Sequence, residues 1–171
     1  MRVRTAGEDP VVVTTTMPSP IGSLTLTAVG GALTGLHMHE QRHAPAAADR
    51  WVRDDAAFED VVAQLEEYFA GGLEHFEVEL DLHGTEFQRR VWARLLDIPY
   101  GETISYGELA GRVGNPKASR AVGLANGRNP VAVIVPCHRV VAADGTMGGY
   151  GGGLERKSFL LELERGRRRR A

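Results

Sequence analysis

Residues 131–140 read VAVIVPCHRV, an apolar run followed directly by a proline, a cysteine and a histidine. We expect 131–135 to form a buried strand that stops at Pro136, because proline has no backbone N–H to offer a sheet. Cys137 is the single cysteine among the 171 residues. Its position, between a buried strand and a potential base, favours a chemical role over a role in packing.

His138 is the nearest candidate base for that thiol. A cysteine is a weak nucleophile until it becomes a thiolate, and an adjacent base is one way to form the thiolate. Consecutive side chains of an extended segment point to opposite faces, so we expect a proton relay through water. A carboxylate would orient the histidine. The spacing leaves three candidates open: Asp144, Glu162 and Glu164.

The first eighty or so residues predict a small sheet with one helix. Residues 11–16 and 23–29 alternate and are rich in β-branched side chains, and the PSPIG turn at 18–22 makes them a hairpin. Residues 32–38 and 76–82 are candidate further strands. Apolar residues recur at helical spacing between Phe58 and Phe69.

The second half predicts a mostly helical domain. Thr85 with Gln88, and Ser105 with Glu108, are two capping boxes that open helices. A further helix is expected to start at 115–116, where an asparagine precedes a proline, and to end near Gly127 in a left-handed conformation. Two short helices joined by a glycine-containing turn have the outline of a helix-turn-helix.

The last thirty residues predict a loop, a helix and a tail. Residues 145–153 contain six glycines, which favour a flexible loop or a close backbone approach. Residues 154–163 are expected to form the last helix, with Leu154 and Leu161 facing inward. The arginine-rich residues 166–171 are expected to be a disordered basic tail.

The bulk composition is that of a globular protein, with 43% hydrophobic and 25% charged residues. A single cysteine gives no intramolecular disulfide, and no apolar run reaches the length that spans a membrane. We therefore predict a cytoplasmic protein without membrane contact. The length fits one large domain or two small ones.

The net charge of −2 hides an uneven distribution. Residues 54–88 carry eleven carboxylates and no Lys or Arg, whereas residues 109–143 carry five Lys or Arg and no carboxylate. Such runs can be solvated surface, or the basic stretch can face a polyanion. Both interpretations stay open on composition alone.

Several of these motifs together resemble the O6-alkylguanine-DNA alkyltransferases, a family that repairs DNA by direct removal of alkyl groups. PCHRV at 136–140 is the active-site signature of that family. The resemblance covers roughly residues 84–164, and it is weaker in the first half, where only SPIG at 19–22 and YFAG at 68–71 match. Further matches are ISY at 104–106, GNPKA at 114–118, RAVG at 120–123, NP at 129–130 and YGGG at 150–153.

The resemblance implies a fold and an arrangement of domains. The fold class is α+β: a small N-terminal antiparallel sheet with a helix, ribonuclease-H-like, then a mostly helical domain with a winged-helix-like helix-turn-helix. Residues 1–83 would be a structural domain, residues 84–165 the DNA-binding and alkyl-acceptor domain, and residues 166–171 the tail.

The resemblance also implies roles for catalytic residues. Cys137 would accept the alkyl group in one in-line displacement and would not be regenerated. His138 would act as base through a water, oriented by Glu164. Tyr106 would donate to the departing guanine.

DNA contacts and a substrate pocket are implied as well. Arg120 would enter the base stack and hold the space of a flipped nucleotide. The other implied DNA contacts are Ser105, Tyr106, Lys117, Ser119, Asn126 and Arg128. The pocket would be formed or supported by Asn129, Val140, Tyr150, Gly151 and Gly152, with carbonyls of Cys137 and Val140 reading the guanine amine.

The implied partner is double-stranded DNA that contains O6-alkylguanine, with O4-alkylthymine accepted less readily. The protein would act as a monomer, with cooperative binding along DNA left open, and would need no metal or cofactor. Asn126, Gly127 and Gly151 differ from residues common in relatives, which leaves the range of alkyl sizes open.

Two other functions remain as alternatives. One is a damage-sensing DNA-binding protein that uses the same helix-turn-helix without transfer, and Cys137 argues against it because non-transferring relatives lack the cysteine. The other is a Cys-His-Glu hydrolase of unrelated substrate, which would turn over repeatedly.

Overall fold

The computed structural model describes residues 10–45 and 49–170. Its N-terminal part is a four-stranded sheet in the order β3-β2-β1-β4. Strands β1 (Val13–Met17), β2 (Leu24–Val29) and β3 (Ala32–Met38) pair antiparallel, and β4 (Val52–Arg53) pairs parallel to β1. The three strands that alternation predicted are confirmed.

One helix packs on this sheet. Helix α1 (Glu59–Phe69) follows a single 3₁₀ turn, whose start is capped by the Asp54 side chain. Its buried residues Val61, Leu65 and Tyr68 recur at helical spacing and join the core.

The second part of the chain is helical. It contains α2 (Glu86–Leu95), α3 (Tyr106–Arg112), α4 (Ser119–Gly127) and α5 (Leu154–Arg170). Thr85 and Gln88 form the predicted reciprocal capping box, and Ser105 accepts a hydrogen bond from the Glu108 N–H. None of the helices in the described ranges is long and apolar enough to cross a membrane.

A short parallel ladder connects two parts of this helical half. Strand β5 (Ile104–Ser105) pairs with β6 (Val140–Val141), so Ile104 lies opposite Val140. The ladder brings the start of α3 beside the segment that carries Cys137.

The prediction of a strand at 131–135 is wrong. Only Val131 forms a bridge, with Leu36, and the rest of the segment is a tight turn in which Val133 has a φ of 71°. The Asn129 side chain causes this, because it accepts from the Val131 N–H and donates to the Val135 carbonyl, at 3.0 and 2.7 Å. The segment is buried as expected, but burial on all sides leaves no periodicity that separates strand from turn.

The predicted strand at 76–82 is also wrong. In that segment a single bridge joins Leu80 to Leu33 of β3. Beyond this bridge, the backbone of 76–82 carries no strand assignment.

Both predicted ends of α4 need correction. The helix starts at Ser119, with Ala118 as an N-cap that has no side-chain hydrogen bond. The Ala118 N–H bonds the Asn115 carbonyl, so the segment before the helix is a turn. Gly127 is the last helical residue, and Arg128 follows it with a φ of −99°, a value that needs no glycine.

The last helix is longer than predicted. Helix α5 continues past residue 163 to Arg170 and so includes residues 166–170, for which we expected disorder. Leu154, predicted to face inward, is exposed. The buried face of α5 instead carries Lys157, Leu160, Leu161 and Glu164.

One hydrophobic core runs through both halves of the chain. The Leu36 N–H donates to the Pro130 carbonyl at 2.9 Å, and the Ala132 N–H donates to the Leu36 carbonyl at 3.2 Å. The N-terminal sheet therefore supports the segment that leads into Cys137.

Candidate active site

Cys137 begins a 3₁₀ turn, Cys137–Arg139, and its side chain is buried. Two asparagines hold the backbone on either side of the thiol. Asn129 binds the Val135 carbonyl, and Asn126 Nδ2 donates to the Cys137 carbonyl at 3.3 Å. The expected extended backbone at Cys137 and His138 is wrong, so the two side chains are not forced onto opposite faces.

Of the three candidate carboxylates, Glu164 is the one that pairs with His138 in the structure. His138 Nε2 lies 2.7 Å from Glu164 Oε2, and both side chains are almost fully buried. Glu162 and Asp144 are exposed. The other ring nitrogen, Nδ1 of His138, is buried without a hydrogen-bond partner in the described part of the chain.

The Glu164 carboxylate accepts hydrogen bonds from several elements. Arg139 donates through Nε to Oε1 at 2.7 Å and through Nη2 to Oε2 at 3.2 Å. Tyr68 Oη donates to Oε2 at 2.8 Å, and the Gly101 N–H donates to Oε1 at 3.4 Å. A buried carboxylate needs such partners to remain ionised.

The pKa shifts of Cys137, His138 and Glu164 determine which of these groups carries charge in the resting site. Burial raises the pKa of the Cys137 thiol, and burial lowers the pKa of His138 although Glu164 opposes it. Burial alone would raise the pKa of Glu164, but His138 and Arg139 outweigh it and lower that pKa to about 2. The resting site therefore pairs a neutral thiol with a neutral imidazole beside a carboxylate anion.

Lys157 is a site residue that the sequence analysis missed. Its buried Nζ donates to the carbonyls of Val140 at 2.6 Å, Gly149 at 3.3 Å and Met147. Burial lowers the pKa of Lys157 to about 8, while the nearby Cys137 opposes that shift. The signal was present in α5, where Lys157 and Glu164 occupy the same inward stripe as Leu160 and Leu161.

A cavity of about 430 Å³ opens onto Cys137. This volume lies within the range of small-molecule sites. Met38, Gln41 and Arg42 of the N-terminal part contribute to its wall. The predicted site residues that line it are Tyr106, Asn126, Arg128, Asn129, Cys137, Tyr150, Gly151 and Gly152.

Val140 does not line this cavity. It is buried, and its carbonyl accepts the hydrogen bond from Lys157. The Cys137 carbonyl likewise accepts from Asn126. The Cys137 carbonyl also accepts from the Val140 N–H, so the two carbonyls that the resemblance assigns to the guanine amine already accept hydrogen bonds within the protein.

Glycines let the loop after β6 pack against Tyr106. Gly148 has a φ of 67°, and a Cβ there would lie 3.1 Å from the Tyr106 hydroxyl. A Cβ at Gly152 would lie 2.6 Å from the terminal methyl of Met38, so the Met38 side chain would have to shift to admit it. Burial, and then the nearby Cys137, raises the pKa of Tyr106, which keeps its hydroxyl protonated as a donor.

Helix α4 presents an exposed stripe beside the cavity. Arg120, Leu124 and Arg128 follow one another at four-residue spacing, and all three are exposed. Leu124 is 70% exposed, an unusual position for a leucine, and sequence reasoning missed it. Lys117 is exposed just before the helix, whereas Ser119 and Ser105 are half-buried.

Asn126 does not lie on this stripe. It is 5% exposed, and it faces the Cys137 backbone rather than the outer surface. The DNA contact expected at Asn126 stays a prediction, and it is limited to a nucleotide that enters the cavity, which Asn126 lines. Among the described residues, no group of three His, Cys, Asp or Glu side chains could hold a metal ion.

Comparison with known proteins places both halves of the chain. Residues 12–82 match the family described as 6-O-methylguanine DNA methyltransferase, ribonuclease-like domain. Residues 86–166 match the 6-O-methylguanine DNA methyltransferase, DNA binding domain.

Individual relatives agree with these matches. The methylated-DNA–protein-cysteine methyltransferase of Mycobacterium tuberculosis is 59% identical over 152 residues, which cover 89% of this chain and 92% of the relative. That of Methanosarcina acetivorans is 51% identical over 146 residues, which cover 85% and 94%. The crystal structure of Mycobacterium tuberculosis OGT in complex with DNA superposes with a TM-score of 0.84 at 57% identity and covers 91% and 93% of the two chains.

Proposed function

This chain belongs to the family of methylated-DNA–protein-cysteine methyltransferases, and we propose that Cys137 is the cysteine that accepts the alkyl group. One observation carries the assignment: the single thiol of the chain faces a base-sized cavity next to a buried His138–Glu164 pair. The proposed substrate is O6-alkylguanine in duplex DNA, with O4-alkylthymine accepted less readily.

The transfer is a single displacement at the alkyl carbon. Cys137 Sγ attacks that carbon, the carbon–O6 bond breaks, and a thioether forms. The thiol proton passes through a water to Nδ1 of His138, as the family resemblance implies. Nδ1 is buried and has no hydrogen-bond partner among the described residues. The guanine leaves after it gains a proton, so the overall change moves one alkyl group to sulfur and one proton to the base.

Charges around the thiol favour this step. Glu164 stabilises the imidazolium that forms on His138, as carboxylates do in other nucleophile–base–carboxylate arrangements. Burial raises the pKa of Cys137, and the Asn129 side chain and the positive Lys157 partly oppose that rise. Tyr106 lines the cavity as a protonated donor, and we assign it the hydrogen bond to the departing guanine.

The reaction consumes the protein. A thioether is stable, and nothing in the proposed chemistry breaks it, so each chain transfers one alkyl group. The cysteine is then lost as a nucleophile, which makes the chain a reagent as much as a catalyst.

Access to the damaged base requires that it leave the helix. Cys137 is buried and lines the cavity, so a nucleotide of the duplex must rotate into the cavity to reach it. Arg120 is exposed on α4 and would fill the gap in the stack, as inserted side chains do in other groove-binding proteins. Leu124 and Arg128 continue the stripe from Arg120 to the cavity mouth, where they would contact sugar and phosphate.

We extend the proposal to setting and organisation. The protein would act in the cytoplasm as a monomer, with cooperative binding along DNA left open. Residues 1–83 would support the site from one side, and residues 84–165 would bind DNA and accept the alkyl group. The backbone hydrogen bonds of Leu36 with Pro130 and Ala132 support a structural role for the N-terminal part.

Labelled substrate tests the proposed function. Incubation with duplex DNA that carries O6-methylguanine with a labelled methyl group is expected to move the label to the protein, one group per chain. Binding without transfer would indicate a damage sensor instead. Repeated turnover of a substrate without protein labelling would indicate a hydrolase.

Arg120→Ala should separate duplex repair from the chemical step. We expect its repair of duplex DNA to fall about 100-fold, while its reaction with free O6-benzylguanine stays near the unmodified rate, because only the duplex needs the inserted side chain. The matched control is Arg53→Ala, since Arg53 is an exposed arginine of β4 that pairs with exposed Asp55, far from α4 in the sequence. Equal losses on both substrates would contradict the role in flipping.

Lys157→Met should slow transfer to duplex DNA and to the free base alike. Methionine is about as long as lysine, but it carries no positive charge to favour the thiolate and no donor for the three backbone carbonyls. We therefore expect the rate of alkyl transfer to fall roughly tenfold or more. Single-turnover kinetics measure it, with Arg156→Met as the neighbouring control. An unchanged rate would show that Lys157 only supports packing.

A further inference from the structure

The YFAG segment at 68–71 matches the family in the first half of the chain, yet the transfer chemistry gives it no role. Tyr68 of this segment is fully buried on α1. We propose that Tyr68 is a positioning residue of the alkyl transfer, because its hydroxyl holds the Glu164 carboxylate in place behind His138. This inference rests on the proposed function and extends it to the N-terminal part of the chain.

The contact joins distant parts of the sequence at one oxygen atom. Tyr68 Oη donates to Glu164 Oε2 at 2.8 Å, and the same oxygen lies 2.7 Å from His138 Nε2. The tyrosine comes from α1 and the carboxylate from α5, 96 positions later. Any rotation of the carboxylate away from His138 would therefore break the Tyr68 hydrogen bond as well.

Aromatic packing fixes the direction of the hydroxyl. The Tyr68 ring lies with its centroid 5.3 Å from those of Phe69 and Phe76 and 6.2 Å from that of Tyr100. A ring held on several sides cannot swing its hydroxyl to another partner. The cluster thus makes the Glu164 oxygen the fixed target of Tyr68.

The Tyr68 hydroxyl also partly compensates the negative charge of the Glu164 carboxylate, because it donates a hydrogen bond to it. Burial, and then the Glu164 charge, raises the pKa of Tyr68 well above its usual value, so it stays a neutral donor. Without that donor, more of the Glu164 charge would act on His138, and the pKa of His138 would rise. Among the described residues, the other titratable or charged groups that act on Tyr68, His138 or Glu164 are Tyr100 after α2, Arg139 from the 3₁₀ turn, Tyr150 from the loop, and Lys157 from α5.

The sign of the pH effect follows from the role of the histidine. His138 must be neutral to take the thiol proton, so the rate falls on the acid side as His138 becomes protonated. This fall is the acid limb of the pH–rate profile, and a higher pKa of His138 moves it to higher pH. A purely structural loss would lower the rate by the same factor at every pH.

Tyr68→Phe is the decisive variant, because it removes one oxygen and keeps the ring. With free O6-benzylguanine, we expect its rate at neutral pH to fall about tenfold and its acid limb to move to higher pH. Phe76→Leu is the matched control, since it alters the same aromatic cluster without touching Glu164, and it should keep the acid limb of the unmodified protein.

Two results would overturn the role of Tyr68. One is an unchanged rate in Tyr68→Phe, and the other is a loss that leaves the acid limb in place, as in Phe76→Leu. NMR titration of His138 in folded Tyr68→Phe gives a second readout, and an unchanged His138 pKa also counts against it. If the unmodified protein is not alkylated at all, the proposed function fails instead, so the two failures are distinguishable.

Discussion

Replacing Cys137 with alanine is expected to abolish alkyl transfer and to leave duplex binding intact. The chain has no second thiol, so no other side chain of this type can take the alkyl group. The exposed stripe of Arg120, Leu124 and Arg128 lies on α4 and does not include the thiol. Transfer of labelled methyl groups and a gel-shift titration with damaged duplex measure the two properties separately.

The melting temperature of Cys137→Ala shows whether the variant is folded. Alanine removes one buried sulfur and leaves the Cys137 backbone contacts with Asn126 and Val135 in place. We therefore expect a melting temperature close to that of the unmodified protein. Transfer that persists in Cys137→Ala would show that another residue is the acceptor.

Glu164→Gln is expected to lower both the free energy of unfolding and the rate of alkyl transfer. The carboxylate receives donors from Tyr68, Gly101, His138 and Arg139, and glutamine would turn an NH₂ group toward one of them. Removing one partner from a buried ion pair typically costs several kcal/mol, here about 3 kcal/mol or more. We expect the transfer rate to fall by about 100-fold, because the imidazolium of His138 loses its counter-charge.

The pH dependence of unfolding checks the same residue. The pKa of Glu164 falls from 4.5 to about 2 on folding, a difference of about 2.5, which corresponds to about 3 kcal/mol. An acid with a lowered folded-state pKa adds stability that is complete above pH 4.5 and is lost as the pH falls through about 2. Urea unfolding over this range should therefore show a smaller pH slope in Glu164→Gln than in the unmodified protein.

Glu162→Gln is the control on the same helix. Glu162 is exposed, so its replacement should change neither stability nor rate by a measurable amount. Equal behaviour of the two variants would contradict the assignment of Glu164 as the partner of His138.

Regular elements with a clear period could be predicted from the sequence. The strands β1 to β3 alternate because one face meets the core, and Thr85 with Gln88 marks the start of α2 by its own hydrogen bonds. The turn at 131–135 could not be predicted from the sequence, because the segment is buried on every side. The turn depends on Asn129, which lies outside the apolar run. The start of α4 was misplaced because residues 115–118 form a turn with the composition of a helix start.

The site could be predicted only where its residues are close in sequence. Cys137 and His138 are adjacent, and Tyr106 and Arg120 lie in recognisable motifs. Spacing left Glu164 as one of three candidates, and only the family resemblance singled it out; in the structure α5 brings it against His138. Tyr68 gave no local signal of its role, because a tyrosine on an amphipathic helix is ordinary until its hydroxyl partner is known. The one signal for Lys157 was its place on the same inward stripe of α5 as Leu160 and Leu161.

The mass of the intact protein after reaction with O6-methylguanine duplex tests the central claim most directly. We expect a single added methyl group per chain, with fragmentation placing it on Cys137 and no further increase at higher DNA excess. The mass should stay unchanged with undamaged duplex. A methyl group on any other residue, or an unmodified protein beside repaired DNA, would contradict the account.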